Sequence, residues 1–108
     1  MLTILTCKGK HKQFGREIES EHQLILNWHT HSSSNPHTYT IITNDAKAKE
    51  IIENSKVFAV NFAQEESKLL EQCDNIDCPR LKNAKWLECE LMHSVQLGES
   101  TLFVGRVR

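Results

Sequence analysis

From Trp86 to Leu97 apolar and polar side chains alternate. Leu87, Cys89, Leu91, His93, Val95 and Leu97 fall on one face, with Trp86, Glu88, Glu90, Met92, Ser94 and Gln96 on the other. A period of two marks a half-buried strand. Gly98-Glu99 breaks it and Thr101 to Arg108 turns back, so the segment is expected to form a β-hairpin. The chain ends inside that returning strand, whose outer edge is expected to need covering by the same chain or another.

Upstream, Leu2 to Cys7 predicts a short strand, and Lys8 to Glu21 a long loop or irregular hairpin. Gln23 to His31 predicts a second strand, with Leu24, Leu26, Trp28 and Thr30 sharing a face. Ser32 to Pro36 carries loop chemistry, because short polar side chains compete for backbone hydrogen bonds and proline removes a donor. His37 to Thr43 is rich in β-branched residues and predicts strand three. Asn44 or Asp45 can cap a helix bearing Ala48, Ile51, Ile52 and Ser55 at helical spacing. Val57 to Ala63 is apolar on both faces, the pattern of an interior strand, and Gln64 to Cys73 resumes helical spacing with Leu69, Leu70 and Cys73 inward. Asp74 to Asn83 connects to the closing hairpin. The order β-β-β-α-β-α-β-β is mainly β (α+β), with antiparallel strands and two or so short helices, in one domain over residues 1–108.

The 108 residues are 39% hydrophobic and 25% charged, ordinary values for a globular domain. A net charge of −1 gives no electrostatic case for nucleic acid or an acidic membrane surface, and Lys8, Lys10, His11 and Lys12 are expected to form a solvated run rather than a binding patch. No apolar stretch approaches the roughly 20 residues that span a bilayer. The N-terminus has no basic leader, so a cytoplasmic protein with reduced thiols is expected.

Four cysteines and six histidines carry little further chemistry. Cys73, Cys78 and Cys89 include no CxxC pair, so zinc is not indicated. His29 and His31, two apart on a strand, point the same way, with His37 close behind, but isolated HxH pairs are usually surface or loop residues and no metal site is assigned. His93 is expected in the core. Cys7 and Cys89 have no adjacent base or helix N-terminus to activate a thiol; Cys73 and Cys78 sit in more exposed context, with Arg80 near. No catalytic residue is assigned. Trp28 and Trp86 are able to stack on a ring, or to serve as core or interface.

Three segments, in order, resemble the flavin reductase-like family. They are Asn27-Trp28-His29-Thr30 with Ser33-Ser34-Asn35-Pro36; Glu50 to Asn61, a helix running into the interior strand Phe58-Ala59-Val60-Asn61; and Leu87-Glu88-Cys89 with Gly98 to Val107. The resemblance covers about two thirds of the chain. It implies the FMN-binding split barrel as fold, a homodimer, and FMN near the subunit interface. The family passes electrons from NAD(P)H to free flavin, ferric complexes or small organic acceptors, the flavin supplying the chemistry.

Carried over residue by residue, the resemblance implies a cofactor site at Asn27, Trp28, Thr30, Ser32 and Ser33. Asn27 would meet the polar edge of the ring, and Thr30 and Ser33 the ribityl chain or phosphate. Lys47 or Lys49 would supply charge near a helix N-terminus, a favourable place for phosphate. The chain also departs from the pattern. Asp45-Ala46-Lys47-Ala48-Lys49 stands where the family often has a cation followed by a hydroxyl residue, and Gly98-Glu99-Ser100 replaces a turn that typically holds histidine. The family's strand beyond the Val107 position is absent, which reads as truncation at the C-terminus. Those departures keep a second reading open: a split-barrel dimer that has lost its cofactor site and serves as a binding or assembly module.

Overall fold

The computed structural model describes residues 1–108. The elements are β1 (Leu2–Gln13), β2 (Arg16–Ile25), β3 (Trp28–Ser34), β4 (His37–Thr43), α1 (Ala46–Ser55), β5 (Val57–Ala63), β6 (Leu70–Gln72), β7 (Pro79–Leu81), β8 (Lys85–Leu97) and β9 (Ser100–Val107). Seven strands form one antiparallel sheet in the order β2-β1-β5-β8-β9-β4-β3, and β6 with β7 form a small separate pair. The sheet's two edge strands, β2 and β3, are consecutive in the chain and joined only by Leu26-Asn27. Leu26 is buried, and its N–H donates to the Thr3 carbonyl at 2.8 Å. That short link draws the two edges toward each other, rolling the sheet into a barrel that stays split between β2 and β3.

The core lies inside this roll. Leu5, Cys7, Ile41, Phe58, Val60, Cys89 and Phe103 pack with Ala48, Ile51 and Ile52 of α1. The helix begins where the sequence predicts: Asp45 Oδ1 accepts the Ala48 N–H at 2.8 Å, and the buried stripe is Ala48, Ile51 and Ile52. It ends at Lys56 in the left-handed region. Gly9 of β1 lets it lie close, since a Cβ there would sit 3.1 Å from Ser55 Cβ. The strand β5 is interior as expected, paired to β1 on one side and β8 on the other.

Several expectations are corrected. Gln23 to His31 is not one strand: it breaks at Leu26-Asn27 into β2 and β3, which lie on opposite edges. Lys8 to Glu21 is regular β1–β2 ladder turning at Phe14-Gly15, where Lys8 faces Glu19 at 3.9 Å and Lys10 faces Glu17 at 3.6 Å. Cross-strand carboxylates therefore face that basic run. Ser32 to Ser34 belongs to β3, and only Asn35-Pro36 makes the turn.

The second helix does not form. Gln64 to Leu69 is irregular, bending at Gln64-Glu65, and Leu70–Gln72 is the strand β6, which pairs with β7 across Leu70↔Leu81. A ten-residue helix is marginal alone, whereas the observed path is fixed from outside. Thr6 Oγ1 donates to Pro79 O at 2.6 Å, and Asn61 Oδ1 accepts the Leu81 N–H at 2.8 Å. The last strand has no free edge: β9 pairs with β8 and, on its other side, with β4. His93 is exposed: a bulge interrupts β8 between Leu91 and His93, and beyond it residues 92 to 99 lie in solvent on both faces.

All four cysteines are free and buried, Cys73 and Cys78 included, contrary to their expected exposure. Burial, with Asp45 second, pushes the Cys7 thiol from 9.0 to about 12. Burial, with the neighbouring Cys73 second, does the same to Cys89, also to about 12. An unfolded thiol ionises from about pH 9 and these do not until near 12, so their stabilisation is whole below pH 9 and lost as pH rises toward 12. The urea midpoint is expected to fall steeply between pH 9 and 11. A Cys7→Ala, Cys89→Ala double variant should show a flatter fall, and an unchanged slope would remove the thiols as its cause.

Candidate functional site at the barrel seam

A cleft of about 350 Å³ opens where β2 gives way to β3 and β4 gives way to α1, lined by Leu24, Ile25, Asn27, Trp28, Ile42, Thr43, Asn44, Asp45 and Ser100. Its volume is at the lower end for small-molecule sites, and apolar walls with a few polar groups suit a planar ring with a polar edge. Trp28 is 48% exposed, offering an uncovered indole.

The residues implied by the resemblance divide. Asn27 and Trp28 line the cleft. Lys49 does not line it, but its ammonium donates to the Glu99 carbonyl at 3.0 Å, next to the lining residue Ser100. Lys47 instead lines another depression, with His11, Lys12, Gln13, Ala46 and Glu50. Thr30, Ser32 and Ser33 run down β3 away from the cleft. Thr30 Oγ1 donates to the His31 carbonyl at 3.1 Å, Ser32 Oγ shares a hydrogen bond with Thr38 Oγ1 at 2.7 Å, and Ser33 Oγ accepts the Asn35 N–H at 3.3 Å. Pattern reading missed Thr43, Asn44 and Ser100, whose proximity comes from the β4–β9 pairing Thr43↔Thr101. Asp45 was expected to cap the helix; its position in the cleft was not foreseen.

The helix N-terminus here is already served by an anion. Asp45 Oδ1 accepts the Ala48 N–H and also meets His22 Nε2 at 3.1 Å. Lower on the barrel, His29 Nδ1 bonds the Tyr39 hydroxyl at 2.7 Å, and His31 Nδ1 meets His37 Nε2 at 3.0 Å. Burial, then the nearby Cys89, raises the Tyr39 phenol above its ordinary value. No group of three or more His, Cys, Asp or Glu side chains converges to hold a metal ion. No helix is long and apolar enough to cross a membrane.

Next to the cleft, strand register aligns Trp28↔Ile42, Ile42↔Leu102 and Leu102↔Val95 in one row across β3, β4, β9 and β8. Directly opposed residues point to the same face of a sheet. Phe103 and Ile41, on the opposite face, fill the core, so this row lies outside, with Trp28 and Val95 exposed.

A family model described as the flavin reductase like domain matches residues 1–108, the whole chain. The chain belongs to the flavin reductase-like family. Among solved structures, its fold is similar to that of the styrene monooxygenase flavin reductase from Pseudomonas putida S12, at 21% identity and TM-score 0.71, over 98% of this chain and 75% of that one. It is also similar to BorF, the flavin reductase component of a bacterial two-component tryptophan halogenase, at 19% identity and TM-score 0.78, covering 98% and 75%. A third is the NADH:FAD oxidoreductase SgcE6 of Streptomyces globisporus C-1027, solved with NAD and FAD fragments, at 20% identity and TM-score 0.78, covering 98% and 70%. At such identities the likeness establishes the split-barrel fold. Curated protein sequences give no significant match. The cleft lies at the seam between the edge strands β2 and β3 of this chain.

Proposed function

We propose that this chain is a cytoplasmic FMN-binding flavoprotein, acting as a homodimer and passing electrons from NAD(P)H to free flavin, ferric complexes or small organic acceptors. The observation that carries it is the double position of Trp28 and Ile42: both wall the cleft, and both belong to the outer apolar row toward Val95. A ring seated against Trp28 would lie at the margin of a surface that a second copy is suited to cover. Four buried free thiols fit a reducing compartment.

The cleft fits the ring better than the phosphate. Leu24, Ile25, Trp28 and Ile42 supply apolar walls, and Asn27, Thr43, Asn44 and Ser100 supply donors and acceptors for a polar ring edge. Lys49, whose ammonium donates to the Glu99 carbonyl beside Ser100, is the cation we assign to a phosphate. When bound, the flavin supplies hydride acceptance from the nicotinamide and electron delivery onward. The chain's own part is to hold the ring, orient its polar edge and shield one face with Trp28.

Titration of FMN fluorescence tests this, together with solution mass by light scattering. Trp28→Ala is expected to weaken FMN about tenfold, near 1.4 kcal/mol. Asp45→Asn keeps a good helix cap and removes the charge opposing phosphate, so it should tighten FMN a few-fold and leave riboflavin unchanged. Unquenched FMN and a monomeric mass would refute the proposal.

Asp45 also favours a second reading, a split-barrel module whose cofactor site is lost, because its carboxylate takes the helix N-terminus from any phosphate. A dimer that binds no flavin decides for that reading.

A further inference from the structure

The four cysteines divide two and two between separate parts of the core. Cys7 and Cys89 pack in the main cluster, while Cys73 and Cys78 share a smaller one with Ala59 and Ile76, flanked by Val57 and Trp86. Their placement follows from the β6–β7 ladder. Its register runs Leu70↔Leu81, Glu71↔Arg80, Gln72↔Pro79, and one step further sets Cys73 opposite Cys78. The ladder does continue: the Cys73 N–H donates to the Cys78 carbonyl at 2.9 Å, and the Lys82 N–H to the Leu69 carbonyl at 2.8 Å at the other end. Leu69/Lys82, Glu71/Arg80 and Cys73/Cys78 therefore fall at the hydrogen-bonded positions of an antiparallel pair, with one bond of the two formed at each end, where the Cys78 N–H turns back to the Ile76 carbonyl at 3.0 Å and the Leu69 N–H to Ser67 Oγ at 3.2 Å. At such positions Cα atoms stand about 5.5 Å apart with both side chains on one face, inside the roughly 4.4–6.8 Å that a disulfide spans.

The intervening loop is fixed. Glu88, 5% exposed, accepts the N–H of Asp74 at 2.9 Å, that of Asn75 at 2.6 Å and Trp86 Nε1–H at 2.8 Å. Burial alone would raise the Glu88 carboxyl, but the donors from Trp86, Asp74 and Asn75 outweigh it and hold the group below its ordinary value. An anion thus pins the turn that keeps the two thiols opposed. The thiols are not equivalent. Cys78 is fully enclosed, its Sγ donating toward the Thr6 and Pro79 carbonyls at 3.4 Å, whereas Cys73 retains 6% exposure at the rim.

We propose that Cys73 and Cys78 are a redox-responsive pair that closes to an intramolecular disulfide by exchange with a low-molecular-weight disulfide of the glutathione type. Cys73 loses its proton and attacks one sulfur of the small disulfide. That S–S bond breaks, one thiol leaves carrying a proton, and a mixed disulfide remains on Cys73. Cys78 then gives up its proton, attacks the Cys73 sulfur and expels the second small thiol. Two protein thiols lose two electrons and two protons, and one small disulfide becomes two thiols. Cys78 is pushed well above an ordinary thiol, first by the neighbouring Cys73 thiol and then by burial, which suits it to the second, resolving attack and not the first. The three-residue strands β6 and β7 leave the pair on the least extensive ladder of the fold, where brief opening admits the reagent.

The test uses the full chain equilibrated in glutathione buffers of increasing oxidation, quenched in acid, then alkylated after unfolding and digested with trypsin. Cleavage after Lys68 and Arg80 places both cysteines in the one peptide Leu69 to Arg80. The expected result is that this peptide loses both alkylation sites and the mass of two hydrogens, while Cys7 and Cys89 remain alkylated. Cys78→Ser should stop at a glutathione adduct on Cys73, and Cys73→Ser should gain none on Cys78. A peptide that stays doubly alkylated at full oxidation would overturn the proposal. So would a bond to Cys89 or Cys7, or glutathione adducts with no internal closure. The wild-type readout stands even if a serine variant fails to fold.

Discussion

Replacing Asn61 by aspartate is expected to destabilise the fold by about 3–5 kcal/mol at neutral pH, the scale of an uncompensated buried charge. Asn61 is fully buried on β5 and joins three strands. Its Nδ2 donates to the Ile4 carbonyl at 2.9 Å and to Thr6 Oγ1 at 3.0 Å, while Oδ1 accepts the Leu81 N–H at 2.8 Å. The Thr6 hydroxyl proton is already given to the Pro79 carbonyl at 2.6 Å. A carboxylate of the same shape would keep the bond to Leu81 and aim its other oxygen at two acceptors. It would therefore hold a proton to higher pH than an unfolded aspartate does. A folded pKa raised in this way makes the deficit smallest below the unfolded value and largest once pH has passed the folded one. Urea unfolding of the variant and the wild type at pH 4.5 and pH 7 measures it. A gap of the same size at both pH values would show that the carboxylate had found a donor.

The same asparagine shows why the region after β5 resisted reading. Residues 64 to 73 carry a fair helical pattern, and nothing local forbids a helix. The deciding bonds tie Pro79 and Leu81, on the strand that pairs with residues 70 to 72, to Thr6 and Asn61, 73 and 20 residues away. Long-range hydrogen bonds leave no periodicity behind. By contrast β4, β5 and α1 are set by side chains within their own spans, and there pattern and structure coincide. In the closing hairpin the pattern held up to Leu91. Beyond it β8 carries one extra residue and both faces of residues 92 to 99 lie in solvent, Val95 and Leu97 included, which periodicity assigned to the core. A bulge adds a residue to the strand without interrupting the apolar-polar alternation of the sequence, so it is invisible to a period-two reading.

The candidate site was accessible only in part. Asn27 and Trp28 were named through a resemblance and do line the cleft. Ser32-Ser33-Ser34-Asn35-Pro36 has loop composition, and the ladder to β4 overrides that preference for the three serines of β3. Lys47 and Lys49, two apart on a helix, point in different directions, so a single role for both was not available. The outer row from Trp28 to Val95 could not be seen at all, since its four members come from four strands whose register is set by the fold.

Phe58→Ala is expected to cost about 3–5 kcal/mol, as large-to-small changes at fully buried aromatic positions do. Its neighbour Gly105 turns this into a sharper test. A Cβ at Gly105 would fall 2.7 Å from Phe58 Cζ, 3.0 Å from Phe58 Cε1 and 2.7 Å from Cys89 Cβ. The phenyl ring thus lies against bare backbone of β9, and Gly105→Ala alone should overpack the core by about 1–3 kcal/mol. Combining the two changes removes the ring that the new methyl would strike, yet leaves the Cys89 contact, whose Cβ is fixed to β8. The double variant should therefore be more stable than the sum of the singles predicts, by at least about 0.5 kcal/mol, but should not recover the loss entirely. Denaturant unfolding of the four proteins closes the cycle. Additive losses would mean that β9 shifts away from Phe58 as a unit, and that the close approach at Gly105 is not what sets the spacing of the last hairpin.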